Sequence, residues 1–124
     1  MQNILKLLSV FLTRLRYPFS TPEDIATDLG LNITNDLSFD ELIFCITSPG
    51  HRPSKLSKYM PRDEAEILFQ AARRKEIFRH NALFSYYFKG GWMEFLLQYD
   101  DESRLRRMYI CHKTLKQKHE ILID

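Results

Sequence analysis

Four histidines and two cysteines are the side chains best suited to catalysis or metal binding in this chain of 124 residues. His51, His80, His112 and His119 are scattered, and none has the His-x-x-x-His spacing of a helical zinc site or an obvious carboxylate partner. There is no Gly-x-Ser-x-Gly elbow and no phosphate-binding glycine loop. Cys111 and His112 are neighbours in sequence, but successive side chains on a strand point to opposite faces, which separates a thiolate from its base. Cys45, His80, Cys111 and His112 lack the spacing that would predict a shared zinc ion. These residues therefore predict no enzyme activity, no cofactor and no metal. Cys45 and Cys111 belong to no paired framework and read as free thiols of a reducing compartment.

The elements that would position any function centre on residues 82–112. This stretch reads as three antiparallel strands. Gly90-Gly91 offers the positive φ values of a two-residue hairpin turn, and Asp100-Asp101-Glu102-Ser103 is a second, polar turn. In the middle strand Met93, Phe95, Leu97 and Tyr99 fall on one face, and Trp92, Glu94, Leu96 and Gln98 on the other. The first set is the better core face. A sheet of this size needs an apolar cover, which the rest of the chain must supply.

Helices are expected before it. Residues 3–16 carry Ile4, Leu8, Phe11 and Leu15 on one stripe, a core helix or a homodimer face. Residues 20–30 hold a cap at Ser20 or Thr21, Pro22 in the first turn, acids at Glu23 and Asp24, and a stop at Gly30. Ser38 and Glu41 have capping-box spacing and open a helix to about Thr47. Residues 48–62 form a basic loop rich in Pro and Ser. Pro61 then opens a longer helix to about Arg79, with acids at its start and Arg73, Arg74, Lys75 and Arg79 at its end, as the macrodipole prefers. A short basic segment, 113–124, closes the chain.

The fold class read from this order is α+β: three or four N-terminal helices, a three-stranded antiparallel meander and a basic C-terminal segment. At this length, 44% hydrophobic and 27% charged, residues 1–124 read as one folded domain. Lys6 interrupts the apolar N-terminal run and no small-residue cleavage site follows it, so it reads neither as a signal peptide nor as a membrane span. The expected location is the cytoplasm.

The phrase PEDIATDLGL, followed by a second capped helix, resembles a helix-turn-helix. With a helix before it and a hairpin after it, the order looks like a winged helix, which implies DNA binding through the second helix. The charges depart from that pattern. Residues 17–48 hold six carboxylates and no Lys or Arg. The helix that would read bases presents Asp40 and Glu41, which repel phosphate.

Two surfaces remain. The outward face of the meander carries aromatic side chains and charge, the anchors favoured at protein interfaces. Its expected contact residues are Tyr86, Trp92, Glu94, Arg104 and Arg106, which together with the acidic helix pair would bind an unknown protein partner. This protein-interaction module, an adaptor, regulator or chaperone-like protein, is the leading functional reading. The alternative is nucleic-acid binding. Residues 49–62 hold four cations and no acid, and residues 104–124 hold six cations against two acids. Arg52, Lys55, Lys58, Arg104, Arg106, Arg107, Lys113 and Lys116 would track phosphates, with Tyr59 and Tyr109 available for stacking.

Overall fold

Two strands with large side chains at nearly every inward position, Asn81–Phe88 (β2) and Gly91–Tyr99 (β3), pair antiparallel and anchor the architecture. The computed structural model describes residues 20–31, 38–48, 52–88, 91–112 and 115–124. On one side β3 pairs with Leu105–His112 (β4), and β4 with His119–Ile121 (β5). On the other side β2 pairs with Arg74–Ile77 (β1). The result is a five-stranded antiparallel sheet in sequence order, β1-β2-β3-β4-β5.

This corrects the expected three-stranded meander. It also corrects the winged-helix-like order with its long helix to Arg79. Three short helices are described: Pro22–Leu29 (α1), Phe39–Thr47 (α2) and Arg62–Glu66 (α3). The long helix ends after five residues for identifiable reasons. The Ala71 N–H donates to Asp28 Oδ2 at 3.0 Å, and the Phe69 ring stacks on Phe84 with centroids 4.3 Å apart. The Arg73 N–H then donates to the Ser85 carbonyl at 2.8 Å. Without β1, β2 would leave a row of buried-side N–H and C=O groups unpaired. Ladder formation outweighs the favourable helix propensity of Arg, Lys and Glu, which is worth only a few tenths of a kcal/mol per residue. At the C-terminus, β5 closes the β4 edge in the same way. The expected helix over 3–16, its dimer face and Lys113 lie outside the described residues.

The local signals for α1 and α2 are correct. Thr21 and Asp24 form a reciprocal capping box, as do Ser38 and Glu41. Gly30 ends α1 at φ 73°, and a Cβ there would collide with Ser54 and Lys55. Gly91 already belongs to β3, paired with Phe88, while Gly90 lies outside the described residues. The 100–103 turn is closed by Asp100, whose Oδ1 accepts the N–H groups of Glu102 and Arg104, both at 2.9 Å.

All three helices pack on one face of the sheet. Asp28 of α1 meets Tyr86, Phe39 of α2 stacks on Phe88 at 3.8 Å, and Glu66 of α3 meets the Tyr99 hydroxyl. That inner face carries Phe84, Tyr86, Met93, Phe95, Leu97, Met108 and Ile110, all essentially inaccessible. Each such side chain contributes about 1.5–3 kcal/mol by leaving water. The alternation read from β3 is therefore the one that packs: Met93, Phe95, Leu97 and Tyr99 are buried.

Candidate interaction surfaces

The outer face of the sheet is built by the residues between those core positions. Strand register places Glu76, Leu83, Leu96, Tyr109 and Glu120 in one row across all five strands. A second row runs Arg74, Ser85, Glu94 and Cys111, and Tyr87 lies opposite Trp92. Among the described residues no helix packs on this face. Leu83, Tyr87, Leu96 and Tyr109 are half-buried, and Trp92 is 37% exposed.

Charge on this face is unevenly satisfied. Arg74 pairs with Glu76 at 2.5 Å, Arg107 with Glu120 at 3.9 Å, and the Lys118 ammonium lies 4.5 Å from the Tyr109 ring centroid. Glu94 has its carboxyl pushed above the usual carboxylate range, first by desolvation and then by Glu76, with Arg74 opposing. Burial likewise raises the Cys111 thiol, which keeps it protonated and a poor nucleophile.

The five expected protein-contact residues do not converge. Trp92 and Glu94 share the outer face near the β2–β3 turn. Tyr86 is fully buried on the opposite face, where its hydroxyl donates to Asp28 Oδ2 at 2.6 Å; it is a core residue and cannot meet a partner from outside. Arg104 sits at the far end of β4, roughly 20–25 Å of strand away from the Trp92 end. There its guanidinium pairs with Asp100 at 3.1 Å and Glu102 at 3.2 Å. Arg106 occupies the irregularity where the β3–β4 register shifts, and it is exposed. Leu96 lies on the outward face that the β3 alternation assigns to it. Sequence reasoning does not single out Leu83 and Tyr87, because β2 is apolar on both faces, and takes Tyr109 only as a stacking residue.

The acidic helices are largely committed to their own structure. Asp24 and Glu41 complete the capping boxes and Asp28 is buried, which leaves Glu23 and Asp40 exposed; Asp36 lies outside the described residues.

The residues of the nucleic-acid alternative come together in part. The Tyr59 N–H donates to Leu105 O at 2.6 Å, and the Leu105 N–H to Met60 O at 2.8 Å, which lays the basic loop beside the start of β4. Tyr59 is 54% exposed and holds φ 69°, a strained value for an aromatic residue. The charged groups of Lys58 and Arg104 each lie 5.5 Å from its ring centroid. Carboxylates neutralise much of this surface, however. Besides Arg104 and Arg107, Arg52 pairs with Asp124 at 3.3 Å. Lys55 is tied to the Thr27 carbonyl at 2.7 Å, while Arg106 and Lys116 are exposed.

Among the described residues, no group of three or more His, Cys, Asp and Glu side chains could hold a metal ion, and both cysteines are free thiols. No described helix is long and apolar enough to cross a membrane. Comparison of the chain with protein-family models, with curated proteins and with solved structures finds no match in any of the three.

Proposed function

We propose that this chain is a non-enzymatic protein-interaction module of the cytoplasm that binds a partner through the outer face of its sheet. One observation carries the reading. Every described helix packs on the inner face, which leaves Leu83, Leu96 and Tyr109 side by side in one row of the other face and Tyr87 opposite Trp92 beyond the row of Ser85, Glu94 and Cys111. A partner that covers them removes apolar surface from water. The aromatic members supply rigid contact area at low entropic cost. The two free thiols, one with its proton held by burial, suit a reducing compartment.

The test is affinity capture from native extract with wild-type protein and two variants, Trp92→Ala and Leu96→Arg, after circular dichroism confirms that each folds. The expected result is a protein retained by the wild type and lost from both variants. Identical captures by all three would remove the outer face as the binding surface.

A second reading, nucleic-acid binding, has one observation in its favour: the contact between the loop carrying Lys58 and Tyr59 and the start of β4. Anisotropy with labelled single- and double-stranded oligonucleotides separates it from the first. It requires micromolar binding that weakens steeply with salt and is lost when Arg106 and Lys58 are reversed to Glu.

A further inference from the structure

The basic run 73–80, which reads as the end of a helix, instead contains β1, an edge strand of the described sheet. It contains Arg73, Arg74, Lys75, Arg79 and His80 against one acid, Glu76. Glu76 is taken by Arg74. Among the described residues no carboxylate pairs with Arg73, Lys75 or Arg79. All three are exposed.

Among the described residues β2 is also the only strand paired with this edge. The Phe78 N–H donates to the Asn81 carbonyl at 2.8 Å, which makes 78 and 81 a hydrogen-bonded pair. Alternation along an antiparallel ladder then turns residues 76 and 74 towards β2, and turns the N–H and C=O of Lys75 and Ile77 away from it. Their side chains extend the inner face sideways, opposite Phe84 and Ala82 respectively. Ile77 is 56% exposed, Phe78 53% and Ile67 65%. Arg62 of α3 donates to the carbonyls of Phe78, Arg79 and Asn81, which holds this corner in shape. The other edge is different: β5 is three residues long and lies beside α2.

We propose that β1 is a strand-addition site for an extended acidic segment of another protein. An incoming strand pairs with the outward backbone groups of Lys75 and Ile77. It sets a carboxylate beside Lys75 and, two residues along on the same face, an apolar side chain beside Ile77. Charge selects the occupant. A second copy of this chain would bring Arg73, Lys75 and Arg79 against themselves, and like charges across a strand pair are destabilising. The exposed Ile77 and Phe78 between the cations, together with outward peptide groups that no described residue pairs with, match a peptide better than phosphates. The proposal names a partner class for a protein-binding function but uses the sheet edge, so loss of binding at the outer face leaves it standing.

The test uses full-length protein and a short fluorescein-labelled peptide of Glu-Thr-Val-Thr repeats, which places Glu and Val alternately on one face. Controls are the Lys-Thr-Val-Thr peptide and labelled oligothymidine. Binding of the acidic peptide that weakens with salt is expected, with little binding of the basic one. Lys75→Glu is expected to weaken it about tenfold. Ile77→Pro removes an outward N–H without touching the β1–β2 ladder, and is expected to weaken it by roughly the same factor. Trp92→Ala should leave this binding unchanged. No binding of the acidic peptide by the wild type overturns the proposal and leaves the charges as a guard against self-association. Tighter binding of oligothymidine than of the peptide overturns it in favour of a nucleic-acid edge. Insensitivity to both β1 variants moves the peptide elsewhere.

Discussion

Two carboxyl groups on opposite sides of the same sheet are treated very differently. Asp28, 6% exposed, meets the inner face and accepts two hydrogen bonds, from the Tyr86 hydroxyl and the Ala71 N–H. It fastens α1, the centre of β2 and the chain leading into β1 at one point. Glu94, on the outer face, is partly desolvated, stands near Glu76, and accepts no hydrogen bond from a described residue. On the inner face Asp28 is paired with Tyr86, and the Tyr99 hydroxyl with Glu66, inside an apolar core. The outer face keeps apolar surface and an unsettled charge, the state expected of a surface that meets something else.

The largest effect that would break this comparison is at Asp28. Asp28→Ala strands the buried Tyr86 hydroxyl and the half-buried Ala71 N–H together, so a loss of about 2–4 kcal/mol is expected. Urea unfolding would show a lower midpoint with an unchanged slope. A loss within experimental error would mean that water reaches both groups and that the inner face is less closed than its burial implies.

Trp92→Ala should cost much less, a few degrees in Tm at most, because the ring is already 37% exposed and stands 6.4 Å from the His112 ring between centroids. A loss as large as that of Asp28→Ala would make Trp92 a core residue and remove it from the interaction surface.

The contrast between the faces also explains what could be read from sequence. The alternation in β3 separates Met93, Phe95, Leu97 and Tyr99 from Trp92, Glu94, Leu96 and Gln98 by local chemistry alone, and capping at Ser38 and Glu41 is equally local. Tyr86 was assigned to the wrong side because β2 is apolar on both faces: Leu83 and Tyr87 look as core-like as Phe84 and Tyr86. Only its pairing with Asp28, far away in sequence, decides the matter. Strands β1 and β5 carry almost no strand signal. Their sequences, RKEI and HEI, are polar and charged, and they are strands because β2 and β4 need partners for their backbone groups. Helix propensity and dipole order in residues 62–79 pointed elsewhere, and long-range pairing overrode them. The interaction edge proposed at Lys75 and Ile77 was hidden for that reason: a basic helix end and a basic sheet edge have the same composition.

The smallest effect expected has the opposite sign and sharpens the comparison most. Because the carboxyl of Glu94 is raised above its ordinary range in the folded chain, the folded state keeps a proton that the unfolded state has already released. Stability then falls as pH rises from the ordinary carboxylate range through the raised value, and the penalty is complete above it. Glu94→Gln removes it, so the variant should melt about a degree or two higher than wild type at neutral pH. The difference should fade as pH is lowered past the ordinary carboxylate range, where both chains carry a neutral side chain at this position. Differential scanning calorimetry across that range reads both halves of the statement. A lower Tm for Glu94→Gln at neutral pH would show that attraction to Arg74 outweighs desolvation and repulsion from Glu76. The outer face would then be electrostatically settled like the inner one, and the argument for a missing partner would rest on its apolar side chains alone.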